Sequence, residues 1–150
     1  MLKNFSFIFL VFFIFTENIN AQEQTCFVKN INLNSKYQDF DLVKYSDSTV
    51  IFSSNRKQKS LRQPKWIGNN QPYLELYSAK IKKDGSFTSI EKFSKTINTK
   101  FHDADIEFTN DLKTIYFSRS NYFNKKYVKD TLGRNLIQLY KAVQDYKGNW

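Results

Sequence analysis

Apolar residues in this chain come in short runs rich in Phe, Tyr, Ile and Val, and Asn, Asp, Ser and Gly separate these runs. From residue 22 onwards no segment repeats its apolar residues with the period of a helix. Short aromatic and β-branched runs between turn-forming residues are typical of β-strands. The sequence therefore predicts an all-β chain, with strands at residues 40–45, 49–54, 74–81, 87–93, 104–109, 114–119 and 136–143.

The second half of the chain repeats the first. The segment NSKYQDFDL at 34–42 returns about 64 positions later as NTKFHDADI at 98–106, and TVIFS at 49–53 returns as TIYFS at 114–118. Self-similarity at such a period indicates structural units that stack on their neighbours. Both copies of the second strand are apolar at consecutive positions, which predicts sheets that are covered on both faces.

We expect two units, each a four-stranded antiparallel meander, at residues 39–97 and 98–150. The last residue, Trp150, aligns with the start of a fourth strand, so the second unit is expected to be incomplete. Before the first unit, residues 22–38 form an N-terminal segment. Within it, residues 27–33 hold the repeat position of another fourth strand, and we expect a strand there.

Residues 108–122, FTNDLKTIYFSRSNY, resemble the WD40-like propeller repeat of TolB-type proteins. Together with IQLYKA at 137–142 and GNW at 148–150, they are similar in order to exported OmpA-family proteins of Bacteroidetes. In that family such a propeller precedes a peptidoglycan-binding domain. The turn differs from the family pattern, because the Pro-Asp-Gly sequence is replaced by Asn110-Asp111-Leu112. The resemblance implies blades of a β-propeller.

Propellers typically close with 4 to 8 blades, and this chain supplies two units. We therefore interpret it as an N-terminal fragment of a longer protein. A short protein that assembles its blades by oligomerisation is the alternative. Peptidoglycan binding is implied only for a longer parent with the C-terminal domain that this chain lacks.

The N-terminus has the order of a secretory signal peptide: Lys3, an apolar run at 5–15, and Ile19-Asn20-Ala21. We expect cleavage after Ala21, with residues 1–21 as the signal peptide, and location in the periplasm or at the outer membrane. The alternative, a membrane anchor, is disfavoured because a spanning helix needs about 20 apolar residues. Cys26 lacks the preceding small and apolar residues of a lipidation site, and a lone cysteine forms no internal disulfide.

The formal net charge of +9 indicates an anionic partner, such as lipid headgroups, acidic glycans or an acidic protein. Nucleic acid is disfavoured by export. His102 lies beside Asp103 and Asp105, but the first unit has Gln38 in the place of the histidine and keeps both aspartates. We therefore assign these residues structural roles and predict no enzymatic activity, no cofactor and no metal.

Both units carry a long insert between their second and third strands, and both inserts are basic and aromatic. Alternate connections of a meander emerge on the same side, so the inserts are expected to share one rim with the turns at 36–37 and 100–101. The alternative is that these are ordinary solvated loops. The candidate binding rim comprises Arg56, Lys57, Lys59, Arg62, Lys65, Trp66, Tyr122, Lys125, Lys126, Tyr127, Lys129 and Arg134.

The expected function is a non-enzymatic binding or scaffold module of an exported cell-envelope protein, with envelope proteins or anionic envelope glycans as partners. Two other classes remain open. The resemblance is also compatible with a TolB-like periplasmic accessory of envelope transport. It is compatible as well with the propeller gate of an exported peptidase.

Overall fold

The computed structural model describes residues 26–57 and 63–150, and every regular element in these residues is a β-strand. The predicted all-β class is therefore confirmed. The strands are β1 (Asp39–Ser46), β2 (Thr49–Ser54), β3 (Lys65–Trp66), β4 (Gln71–Pro72), β5 (Glu75–Ile81), β6 (Phe87–Lys92), β7 (Asp103–Phe108), β8 (Thr114–Ser120), β9 (Tyr122–Phe123), β10 (Lys126–Tyr127) and β11 (Ile137–Val143).

Two antiparallel sheets contain the strands that the sequence predicts. The first sheet has the order β1-β2-β5-β6, and the second has the order β11-β8-β7. Each strand predicted within residues 39–150 is present, and its ends differ from the predicted ends by about one residue. The sheets match in register, because Phe52 opposes Tyr77 in the first and Phe117 opposes Tyr140 in the second.

The small strands of the inserts form two hairpins, β3-β4 and β9-β10, which the sequence pattern did not predict. In the second hairpin, Asn124 and Lys125 connect the strands and both have positive φ, at 47° and 63°. Two-residue connections with both φ angles positive match the right-handed twist of the strands that they join. The insert is therefore an ordered hairpin at this point.

The strand predicted at 27–33 is wrong, since residues 26–38 contain no strand. Instead, the Asn32 side chain bonds the backbone of Phe87, where its Nδ2 donates to the carbonyl and its Oδ1 accepts from the N–H, both at 2.8 Å. The Asn32 side chain thus bonds the Phe87 backbone groups with which a neighbouring strand would otherwise pair. Leu33 from the same segment packs into a buried cluster with Val50 and Phe52. The predicted signal peptide at 1–21 lies outside the described residues.

The main core lies between the two sheets. Ile51 and Leu76 of the first sheet pack with Ile106, Ile115 and Phe117 of the second. This cluster uses one face of each sheet, and the other face of the first sheet belongs to the cluster around Leu33. Covered faces on both sides of β2 explain its uninterrupted burial from Thr49 to Ser54.

An aspartate–arginine pair recurs in both units. Asp39 accepts a hydrogen bond from Arg56 Nη2 at 2.6 Å, and Asp103 accepts one from Arg119 Nε at 2.5 Å. Each guanidinium also lies over the Phe–Tyr pair of its own sheet, at 4.7 to 5.4 Å from the ring centroids. The repeated aspartates therefore have the structural role that the sequence predicts.

The pKa values of the two aspartates shift in opposite directions. Burial alone raises the pKa of Asp39, but hydrogen bonds from Ser54, Arg56 and Ser35 outweigh it and hold this pKa below its usual value. Asp103 is more deeply buried, and its burial raises its pKa despite the bonds from Arg119 and Thr99. Depth of burial thus distinguishes two otherwise equivalent sites.

A β-bulge in the first strand of each unit connects the sheets. Asp41 and Asp105 lie at these bulges with φ of 54° and 51°, and the ladder shifts register beside both. The Ile106 N–H donates to Asp41 Oδ2 at 2.6 Å, and the Asp105 N–H donates to Ser53 Oγ at 3.0 Å. The bulge of the second unit therefore turns backbone donors towards the first unit.

Candidate functional site

A cleft of about 350 Å³ opens at the end of the sheets where both inserts emerge. Trp66 lines it from the first insert and Tyr127 from the second, and the segment between the sheets contributes His102. The predicted meeting of the second insert with the turn at 100–101 is confirmed, because the rings of Phe101 and Tyr127 lie 4.3 Å apart. The two inserts therefore border one concave site.

A chain of aromatic contacts crosses the site. The Trp66 ring lies 5.3 Å from the His102 ring, which lies 4.7 Å from Tyr73. Tyr73 in turn meets Phe101 at 5.6 Å, edge to face. Contacts of this geometry add about 0.5 to 1.5 kcal/mol each beyond the area that they bury. They hold the two inserts against the segment between the sheets.

Trp66 is held in place by a close approach to backbone. A Cβ atom at Gly68 would lie 2.5 to 2.7 Å from three atoms of the indole ring, which is closer than carbon atoms can approach. The ring therefore folds over Gly68, and only a residue without a side chain fits beneath it. About two fifths of the Trp66 surface remains exposed towards the cleft and solvent.

His102 is a neutral acceptor at the base of the cleft. Its Nδ1 accepts a hydrogen bond from the Leu74 N–H at 3.2 Å, which requires a free lone pair on that nitrogen. Burial lowers the pKa of His102 and so favours the same neutral form. This histidine joins the two units.

Amide side chains brace the walls of the cleft. Asn55 accepts from the Gln38 N–H at 2.8 Å and donates to Gln71 Oε1 at 3.1 Å. Across the cleft, Asn135 donates to the carbonyls of Asn121 and Val128 at 3.0 and 2.6 Å. Their hydrogen bonds pre-organise the loops, which lowers the entropy cost of binding a ligand.

The charged rim residues do not line the cleft, although Lys65 and Lys126 are adjacent in sequence to its lining residues Trp66 and Tyr127. Lys57, Lys65, Lys125, Lys126 and Lys129 are all exposed.

Two other predicted cations, Arg56 and Arg134, behave differently. The placement of Arg56 on the rim is wrong, because its ion pair with Asp39 and its stacking on Phe52 hold it within the first unit. Arg134 is exposed but pairs with Asp130 at 2.8 Å. Lys59 and Arg62 lie outside the described residues.

Two aromatic residues of the predicted rim line the cleft, and the third packs against another ring. Trp66 and Tyr127 line the cleft, whereas Tyr122 packs against Phe101 at 5.0 Å. Gln38, Tyr73 and Asn135 also line the cleft. Sequence reasoning missed these three residues. The available signal was the repeat position shared by Gln38 and His102, which places both beside the inserts.

Within residues 26–57 and 63–150, no group of three or more His, Cys, Asp or Glu side chains is arranged to hold a metal ion. The same residues contain no helix that is long and apolar enough to span a membrane. The chain matches no protein-family model, no curated protein and no solved structure. The arrangement offers a concave aromatic surface, and exposed lysines flank its lining residues in the sequence of both inserts.

Proposed function

We propose that this chain is a non-enzymatic binding module of an exported cell-envelope protein, built from WD40-like propeller blades and similar to the exported OmpA-family proteins of Bacteroidetes. The observation that carries the proposal is the aromatic cleft between the two inserts. Ligand sites in proteins are typically concave and mostly apolar, with a few fixed polar groups. Trp66 and Tyr127 supply exposed rings at this cleft, and the bonded Asn55 and Asn135 supply its rigid frame.

The charge of the chain supports an anionic ligand, with acidic envelope glycans as the class we favour. Exposed lysines of both inserts are adjacent in sequence to residues that line the cleft, and the chain carries a formal net charge of +9. An acidic polysaccharide offers carboxylates to these lysines and sugar faces to the aromatic rings. Electrostatic attraction of this kind accelerates association and weakens as salt rises, because the Debye length is about 10 Å at 0.1 M ionic strength.

The test is titration calorimetry of the chain with alginate, an acidic polysaccharide, and with dextran as the neutral counterpart, each at low and high salt. We expect binding of alginate that weakens at least several-fold as salt rises, and no binding of dextran. Reversing Lys57, Lys125, Lys126 and Lys129 to Glu should abolish alginate binding.

The matched control reverses Lys82, Lys83, Lys113 and Lys147 to Glu. These lysines are exposed on the turns at the opposite end of the strands. Because both variants reverse four lysines, they change the net charge by the same amount. The control should lose only the part of its alginate affinity that depends on net charge, and it should therefore bind alginate more tightly than the insert variant does. Equal losses in the two variants would mean that overall charge, and not the insert end, attracts the glycan. Alginate binding that survives both salt and the insert reversals would contradict the proposal.

A further inference from the structure

The outward face of the second sheet exposes large apolar side chains, and Lys141 lies over the Tyr116 ring on this face. Leu139 on β11 is 75% exposed and Tyr116 on β8 is 41% exposed. At the equivalent positions of the first sheet, Leu76 and Ile51 are 0% and 1% exposed, because the second sheet packs over them. The same repeat face is therefore a core surface in one unit and an open surface in the other.

We call the contact between the two sheets of one chain the inner joint. The polar groups that accept hydrogen bonds in it have equivalents on this open face. Between the sheets, Asp41 and Ser53 of the first unit accept backbone N–H groups of the second. Their repeat equivalents are Asp105 and Ser118. Asp105 is exposed and Ser118 is half-buried, and both lie at the border of the cleft. The open face thus has acceptors where a bulged strand of the same repeat would place its donors.

The first unit exposes the surface that is equivalent to the second unit's side of the inner joint. Leu42 is 45% exposed where its equivalent, Ile106, is buried between the sheets at 1%. A hollow of about 100 Å³ lies beside Leu42 and is lined also by Leu33 and Phe52. Asn34, the equivalent of the amide that bonds Leu76, is exposed as well, and its Nδ2 donates to Asn30 Oδ1 in the single chain.

We propose that the outward face of the second sheet, centred on Leu139 and Tyr116, binds the first unit of a second copy of this chain. The inner joint identifies the occupant, because within the chain the second unit already packs on the equivalent face of the first. In the joint between copies, Asn34 of one copy bonds the backbone of Leu139 in the other. Leu42 packs where Ile106 packs in the inner joint. This inference does not rest on the proposed ligand.

Such an interface is heterologous, since two different surfaces meet. Heterologous contacts form closed rings where the rotation permits and open filaments where it does not. Two copies closed on each other contain four units, which is the smallest blade number typical of propellers. Because Asp105 and Ser118 also line the cleft, the docked copy would close its open side.

The joint between copies is weaker than the inner joint. Inside the chain, Phe108 packs against Tyr45 with ring centroids 5.0 Å apart. In the outer joint their repeat equivalents are Lys44 and Thr109, which remove this aromatic contact. We therefore expect association that is reversible and depends on protein concentration.

The experiment is sedimentation velocity of the exported product of the full chain over a hundredfold range of concentration. We expect the weight-average sedimentation coefficient to rise with concentration. Leu139→Asp should remove that rise, because it places a charge at the centre of the apolar face. Leu132→Asp is the matched control: Leu132 is 72% exposed but lies on the second insert and in none of the strands of this sheet. It should associate as the unmodified chain does.

A mixing experiment tests the two-sided geometry. Leu42→Asp damages the first-unit half, whereas Leu139→Asp damages the second-sheet half. Each variant alone should sediment as a monomer, and an equimolar mixture should form a one-to-one dimer, because one intact half remains on each partner. A chain that stays monomeric throughout, association that survives Leu139→Asp, or a mixture without dimer would each overturn the proposal.

Discussion

Asn98 and Leu76 are joined by two hydrogen bonds. The Leu76 N–H donates to Asn98 Oδ1 at 2.8 Å, and Asn98 Nδ2 donates to the Leu76 carbonyl at 2.9 Å. An amide side chain thereby satisfies both backbone groups of a fully buried residue on the neighbouring unit. Together with the bulge bonds of Asp41 and Ser53, this relationship sets the position of the second unit on the first.

The buried pair of Asp103 and Arg119 should contribute strongly to stability. Asp103→Asn leaves the Arg119 charge buried without its counter-ion, and breaking a buried pair in this way typically costs about 3 to 5 kcal/mol. We expect a loss of that size in the free energy of unfolding, measured by urea denaturation. The control is Asp130→Asn at the exposed pair with Arg134, where the loss should stay below about 1 kcal/mol. Equal losses would contradict the assignment.

Stability should fall on mild acidification because of His102. Burial lowers its pKa in the folded chain below the unfolded value of 6.5, so the neutral form is the one that folding favours. The contribution of neutral His102 to the free energy of unfolding is complete above about pH 6.5 and is lost as pH falls through the folded-state pKa. Protonation also removes the acceptor for the Leu74 N–H.

The variant His102→Gln isolates this effect, since glutamine holds the equivalent position in the first unit. Thermal unfolding between pH 7.5 and 5.5 should show a smaller drop in melting temperature for the variant than for the unmodified chain. Identical pH dependence in the two proteins would show that other groups account for it.

Gly68→Ala should displace Trp66. The new methyl group would overlap the indole ring at 2.5 Å, and a rigid ring pressed against backbone can relieve this only by moving. In a Trp150→Phe background, where Trp66 is the only tryptophan, we expect a red-shifted emission maximum and faster quenching by iodide. The free energy of unfolding should change little, since the site is exposed. An unchanged emission spectrum would contradict the close approach.

Export predicts a new N-terminus. The basic, apolar and small-residue order of residues 1–21 should direct secretion and cleavage after Ala21. Mass spectrometry of the protein from the envelope fraction should therefore find Gln22 as the first residue. Envelope-located protein that retains Met1 would contradict cleavage.

The strands could be predicted from the sequence because each is marked locally. An apolar run such as 49–54 lies between turn-forming residues, and its repeat at 114–120 confirms the pattern. The repeat also showed that the aspartates are structural, since Asp39 recurs as Asp103 with the same type of partner. Periodicity and self-similarity therefore sufficed for the sheets.

The site could not be predicted to the same degree, because its residues depend on packing between distant segments. Aligning the second strands pairs Arg119 with Ser54, and the equivalence of Arg56 to Arg119 requires a shift of two residues. The sequence pattern therefore places Arg56 among the loop cations, although it is a partner of Asp39. The cleft likewise depends on where Tyr73 and Asn135 fall in space, which no local pattern records.

The central claim is that the second unit is seated on the first by a joint whose outer counterpart is open in the single chain. Urea unfolding of Asn98→Ala and Asn34→Ala, at a concentration where the unmodified chain is monomeric, tests it most directly. Asn98→Ala leaves the buried Leu76 N–H without a partner and should cost about 1 to 3 kcal/mol. Asn34→Ala removes the same side chain where no unit is docked, and should change stability by less than about 0.5 kcal/mol. Similar losses in the two variants would contradict the account.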